Sequence, residues 1–282
     1  MKVQVIHLLI GALVTISASE AKILVHGHRG ARTVRPENTL PAFEYAIAAG
    51  VDYIELDVSV TRDDVVVVNH DLTLNRSICQ GPEGETAIRR LTLKQIKEWD
   101  CGALKNKDFP RQRPSPGARV LTLEEALALA RKSKVQFNIE LKMDAKKPEL
   151  TPERPVFARM VVDLVKKHKL QQRVLLQSFD LPLMAELKKI VPDWTLAALY
   201  AGLPKDYTEI SAEAGGMTMV NPQYMLVSKA EVAKAHASGL KVAAWTANSA
   251  DVWDKLIDAG VDGIITDDPA ALIEHLKAKG LR

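Results

Sequence analysis

Residues Ile23-Leu24-Val25-His26-Gly27-His28-Arg29-Gly30-Ala31 begin as a short apolar run and pass at once into imidazole, guanidinium and glycine. A buried strand that ends in polar chemistry suits an α/β protein whose site lies at the carboxyl ends of its strands. The Gly-rich turn of a dinucleotide-binding fold is missing: His28-Arg29-Gly30-Ala31 stands in its place, which argues against a Rossmann sheet. Working outward, seven more runs with strand character follow Ile23–Val25: Tyr53–Val60, Val135–Leu141, Val174–Phe179, Leu196–Tyr200, Met217–Asn221, Val242–Thr246 and Gly263–Thr266. Amphipathic stretches over 40–49, 122–132, 153–168, 183–190, 228–238 and 250–259 separate most of them. For the first, Asn38 or Thr39 can cap the start and Gly50 the end. Eight strands alternating with helices predict an α/β fold of the (β/α)8 TIM type.

Val65–Val68 falls outside this alternation, because almost no chain separates it from Tyr53–Val60. An antiparallel hairpin is the economical reading. With Asp63-Asp64 as a two-residue turn, Val60 would face Val67, Val58 would face Asn69 and Asp57 would face His70. Residues 72–116 then form an insertion after the second strand, rich in turn signals and carrying a short helix within 91–99. It reads as a small subdomain over one end of the barrel.

The chain has 282 residues, enough for one large α/β domain or two small ones. A net charge of +3 with scattered lysines and arginines gives no reason to expect a nucleic-acid partner. Residues 1–21 read as a secretory signal: Lys2, an apolar stretch from Val5 to Ile16, and small residues through Ala21, after which cleavage is expected. The stretch is short for a membrane span, so no stable membrane insertion is expected once it is removed. The barrel domain would then be 22–282, in a periplasmic or secreted protein. Cys79 and Cys101 are the only cysteines, both in the insertion, and export favours a disulfide between them.

Glu55 and Asp57 are two apart on a strand and point to one face; Glu140 and Lys142 share that spacing. Charges on a buried strand face are costly unless paired or bound to a metal. Glu55, Asp57 and Glu140 offer three carboxylates suited to a hard divalent cation, Mg²⁺ or Ca²⁺. The plainer alternative is an internal ion-pair network with Arg29 and Lys142. Otherwise those two cations face a ligand, where a guanidinium can grip a phosphate oxygen pair. His28 and His70 are the proton-transfer candidates, because imidazole titrates near neutrality and a pair can divide acid and base roles. His26 is expected in the core or behind the site, and His168, His236 and His275 on helix surfaces.

The ordered set His28-Arg29-Gly30-Ala31, Pro36-Glu37-Asn38-Thr39, Glu55-Leu56-Asp57, Thr61-Arg62-Asp63, His70-Asp71, Glu140-Leu141-Lys142, Gln177-Ser178-Phe179, Trp245-Thr246 and Gly263-Ile264-Ile265-Thr266-Asp267-Asp268-Pro269 resembles the glycerophosphodiester phosphodiesterase family. The resemblance implies a TIM-type barrel with an insertion after the second strand. It also implies a divalent metal and hydrolysis of a small-molecule glycerophosphodiester to glycerol 3-phosphate and an alcohol. It assigns catalysis to His28 and His70, metal binding to Glu55, Asp57 and Glu140, and phosphate contact to Arg29 and Lys142. Glu37 would orient these groups, while Gln177, Phe179 and Trp245 would line the substrate site. Rival readings are a lysophospholipase D or a phosphoinositide-type phospholipase on the same barrel, and a non-catalytic surface binding protein. The polar insertion favours a soluble head group over the lipid readings.

Overall fold

The computed structural model describes residues 22–282; the expected signal segment, 1–21, lies outside them. Nine strands form: β1 (Leu24–Gly27), β2 (Tyr53–Val60), β3 (Val66–Val68), β4 (Gln136–Leu141), β5 (Val174–Ser178), β6 (Thr195–Tyr200), β7 (Met219–Pro222), β8 (Lys241–Ala244) and β9 (Gly263–Thr266). All but β3 run parallel in the order β1-β9-β8-β7-β6-β5-β4-β2, and the β1–β2 pairing closes the ring. This is the (β/α)8 TIM-type barrel that the alternation predicts. Two helices lie beyond the expected six around the barrel, Tyr207–Glu213 and Pro269–Ala278. Each starts where an aspartate side chain, Asp206 or Asp268, accepts a backbone N–H of the first turn.

Outward positions of the strands, such as Ile54, Leu56, Val58, Ile139 and Leu141, are fully buried beneath the helices in one apolar core. Inside the barrel, Leu175, Ala197, Met219 and Ala243 form a small apolar cluster with Tyr53. His26 belongs to this interior: its ring stacks on Tyr53 at 4.4 Å and Nδ1 lies 3.3 Å from Asn138 Nδ2. Toward the carboxyl ends of the strands the inward residues turn polar, and there the fold concentrates its charge.

The hairpin forms, but one residue out of the expected register. Val58 pairs with Val68 and Val60 with Val66. The turn has three residues, not two. Thr61 N–H donates to Val65 O at 2.9 Å, Asp64 N–H closes back on Thr61 O at 3.2 Å, and Asp64 has φ +58°. A type I turn followed by a left-handed residue is the usual three-residue solution, and aspartate tolerates that conformation. Asp63 is engaged elsewhere, accepting from Thr61 Oγ1 and from Leu93 N–H. Asp57 therefore faces Asn69, whose N–H donates to Asp57 O at 3.0 Å, and His70 stands just past the ladder. β3 is apolar at every position because both faces are covered: Val66 and Val68 join the main core, and Val67 lies in the core of the insertion.

The insertion has its own small core of Leu74, Ile88, Leu91, Ile96, Trp99 and the Cys79–Cys101 disulfide. Its expected helix is a single turn, Leu93–Ile96, opened by a Thr92/Gln95 capping box. The helix expected over 122–132 is α-helical only over Leu123–Leu127 and tightens to 3-10 form over Ala128–Arg131. The far end of the insertion straps onto the loop after β1. Gln112 Nε2 donates to Arg32 O at 2.7 Å, and Arg113 N–H donates to Val34 O at 3.1 Å.

Candidate active site

The loop after β1 owes its path to two glycines. A Cβ on Gly27 would meet Gly30 O at 2.2 Å, and one on Gly30, at φ +88°, would meet the Ala42 backbone at 2.8 Å. Between them Arg29 is left-handed, φ +51°, and its N–H donates to Glu55 Oε2 at 2.8 Å. Its guanidinium donates to Glu37 Oε1 at 2.7 Å and stands 3.5 Å from Asp57 Oδ2. Burial opposes that charge, but Asp57 and Glu37 outweigh it and hold Arg29 more firmly protonated than usual.

The strands supply the carboxylates. β2 and β4 pair with Asp57 beside Glu140, and Glu55 lies one inward position below. Ligand oxygens of Glu55, Asp57 and Glu140 all lie within 4.8 Å of one another. All three side chains are buried. Burial and the two neighbouring carboxylates push Glu55 well above its ordinary range, and burial raises Glu140 against the pull of Lys142. Burial also acts on Asp57, but His70, Arg29 and Lys142 overcome it and keep Asp57 ionised. Lys142 Nζ donates to Glu140 Oε1 at 2.6 Å and lies 3.7 Å from Asp57 Oδ1. Around this point three cations, Arg29, Lys142 and Arg32 (Nε 3.5 Å from Glu37 Oε2), meet four carboxylates, those of Glu37, Glu55, Asp57 and Glu140. Asp57 Oδ1 is buried with no hydrogen-bond donor among the described residues. The unmatched charge and the bare oxygen fit a hard divalent cation with oxygen ligands.

A cavity of about 170 Å³ opens over these groups, with walls that include His28, Arg29, Glu55, His70, Glu140, Gln177, Phe179 and Trp245. Larger clefts lie elsewhere, one of 450 Å³ beside Val65, Leu93 and Met160, but Glu55, Glu140 and both histidines line the smaller cavity, with Asp57 buried behind them. Burial lowers the affinity of His28 for a proton, against the pull of Asp267. His70 is more open and its Nδ1 lies 2.7 Å from Asp71 Oδ1. Phe179 and Trp245 meet edge to face at 5.3 Å, and Trp245 Nε1 donates to Asn221 O at 2.8 Å. Gln177 Nε2 donates to Glu55 Oε1 at 3.3 Å while its Oε1 accepts from Asn221 Nδ2 at 2.7 Å. Glu37 stands behind Arg29. Cys79 and Cys101 lie apart from the cavity, in the insertion core.

Three residues beside these groups have no site role in the sequence reading. Of the two residues expected to cap the first helix, Thr39 takes the N-cap position and donates its hydroxyl to Pro36 O, while Asn38 donates to Asp57. Asp267 pairs with His28, and Arg32 Nε stands 3.4 Å from the same carboxylate. Their signal was present in the motif runs that contain Asn38 and Asp267, but spacing alone gives neither a partner.

The family model described as the glycerophosphoryl diester phosphodiesterase family matches residues 28–271, which span the whole constellation from His28 past Asp267. The chain belongs to that family. A glycerophosphodiester phosphodiesterase of Caldanaerobacter subterraneus subsp. tengcongensis is 32% identical over 261 residues, 92% of this chain and 100% of the relative. A solved structure from Silicibacter pomeroyi superposes with a TM-score of 0.85 at 32% identity, covering 92% of this chain and 95% of that one. A phosphodiesterase of Oleispira antarctica, solved with the product sn-glycerol-3-phosphate, shares the fold with a TM-score of 0.77 at 23% identity, covering 91% and 97%. The chain is thus an enzyme, a phosphoric diester hydrolase of the glycerophosphodiester phosphodiesterase family.

Proposed function

We propose that this enzyme hydrolyses small, soluble glycerophosphodiesters to glycerol 3-phosphate and an alcohol with one divalent cation, Mg²⁺ or Ca²⁺, and that it works outside the cytoplasm after loss of residues 1–21. The observation that carries the reading is the convergence of Glu55, Asp57 and Glu140 beneath a cavity walled by His28, His70 and Arg29. Glu55, Asp57 and Glu140 would hold the cation, which when bound supplies Lewis-acid neutralisation of the phosphodiester. Arg29 and Lys142 bind the phosphoryl oxygens and stabilise the charge that grows on them. Of His28 and His70, one takes the proton of the attacking oxygen and the other delivers a proton to the departing alkoxide. The attacking oxygen is water or the neighbouring glycerol hydroxyl, which would give a cyclic phosphate first; proximity favours the latter. Glu37 fixes Arg29, Gln177 fixes Glu55, and Phe179 with Trp245 offers an apolar wall to the glycerol carbons. The Cys79–Cys101 disulfide suits an oxidising compartment.

The test is to incubate the purified chain 22–282 with glycerophosphocholine and assay glycerol 3-phosphate, with EDTA, with EDTA followed by excess Mg²⁺ or Ca²⁺, and with His28→Ala. Product that is lost to chelation, restored by metal and absent from the variant is the expected result. Product that persists at full rate in EDTA would refute the metal assignment.

A further inference from the structure

The loop after β9, at the far end of the chain, reaches His28. Its Nδ1 lies 2.6 Å from Asp267 Oδ1, and Asp267 is buried at 5% exposure. The other oxygen, Oδ2, accepts from Asn248 Nδ2 at 2.7 Å. Asn248 has no freedom to turn over: its Oδ1 accepts from Asp267 N–H at 2.9 Å and from Thr266 Oγ1 at 3.2 Å. Its amide nitrogen must therefore face Asp267. Trp245, Thr246 and His28 itself line the catalytic cavity, so this clamp is attached directly to the cavity wall.

An ionised carboxylate only accepts hydrogen bonds. His28, Arg32 and Asn248 keep Asp267 ionised against its burial, and burial keeps the resting imidazole neutral. A neutral ring has one N–H, and beside Asp267 that proton must sit on Nδ1. We propose that Asp267, held by Asn248, is a positioning residue that fixes His28 as the Nδ1–H tautomer and turns the Nε2 lone pair to the cavity. This rests on the reading of His28 as a proton-transfer group. Whether Nε2 takes a proton from the attacking oxygen or returns one to the leaving alkoxide, Asp267 is the counter-charge to the imidazolium form. The sequence separation of 239 residues hides this pairing from any local pattern.

Asp267→Asn discriminates between a tautomer role and a packing role, because it keeps the shape. Asn248 still presents its NH₂ at 2.7 Å and draws the oxygen of the new amide more strongly than Arg32 Nε, 3.4 Å away on the other side, so the new NH₂ is delivered to His28 Nδ1. The ring proton is then forced to Nε2, the wrong tautomer. Expected is a fall in kcat of about 10²–10⁴-fold, the range that a positioned general acid or base contributes, with KM within about threefold. The ¹⁵N resonances of His28 should report Nδ1–H in the wild type and Nε2–H in the variant. A wild-type kcat for Asp267→Asn, or a wild-type ring protonated on Nε2, overturns the proposal. His28→Ala run in parallel separates the two readings. Wild-type kcat there refutes the proton-transfer role of His28 and the proposal with it. Inactive His28→Ala beside fully active Asp267→Asn refutes the proposal alone.

Discussion

Asn38 donates from Nδ2 to Asp57 Oδ2 at 2.9 Å, and the backbone that brings it there is left-handed, with φ +57°. Asparagine is one of the few residues that visits this region readily. Its side chain leaves the opposite oxygen of Asp57 bare, so the bond fixes the rotation of the carboxylate that the proposed cation would meet.

Asn38→Gly keeps the backbone conformation and removes the bond. Loss of a group that orients a metal ligand typically weakens metal affinity about 10–100-fold. The Mg²⁺ or Ca²⁺ concentration for half-maximal activity should rise by that order, with the rate at saturating metal much less affected. A metal titration of both proteins decides it, and an unchanged midpoint would sink the idea.

His26 sets a pH dependence of stability. Burial lowers its pKa to about 4, against the opposing pull of Asp52, while the unfolded chain protonates near 6.5. Between those values the unfolded state binds the proton and the folded state does not. Stability therefore falls as pH drops from about 6.5 toward 4 and rises again with pH. The contribution is about 3 kcal/mol across the window. His26→Leu should flatten that part of the curve; urea melts of both proteins at pH 7 and pH 4.5 provide the check, and parallel losses in the two would contradict it.

Arg29 bridges Glu37 and Asp57 with a planar fork. Lysine keeps the charge but not the two-point geometry. Arg29→Lys should lower kcat/KM about 10–100-fold, the worth of one charge-assisted hydrogen bond at roughly 1.5–3 kcal/mol. Steady-state kinetics on glycerophosphocholine would show it; a loss under twofold would remove Arg29 from the proposed phosphate contacts.

The Cys79–Cys101 bond closes a loop of sequence separation 22 around the small core of the insertion. Chain-entropy arguments give such a loop about 3 kcal/mol. The double variant Cys79→Ala, Cys101→Ala should melt several degrees lower by calorimetry. Gln112 and Arg113, which strap the insertion to the loop after β1, lie outside the closed loop, so activity at 25 °C should survive. Complete inactivation of a folded double variant would show that the disulfide supports the site itself.

The fold was legible because its signals are local. Glu55 and Asp57 share a face by strand geometry alone, and Glu140 and Lys142 repeat the spacing. The phase slips at the hairpin turn, whose length the local sequence does not specify. Asp63-Asp64 suits a two-residue turn, but Asp63 is drawn to Thr61 and Leu93, and Asp64 takes the left-handed position. The slip moved Asn69 opposite Asp57 and freed His70 from the ladder. His168 shows the same limit: its place at the end of a helix predicts a surface position, yet its side chain is 8% exposed and lies 3.5 Å from Glu124.

By itself, then, the sequence determined the alternation of strands and helices, the inward carboxylates and the imidazoles at strand ends, because periodicity and burial act over a few residues. The tertiary structure decided which of these groups meet. Asn38 with Asp57, Gln177 with Glu55 and Asp267 with His28 are pairs made by barrel closure and loop geometry. Their partners are chosen by direction and by the need to satisfy buried polar atoms, and neither is written in the spacing of residues along the chain.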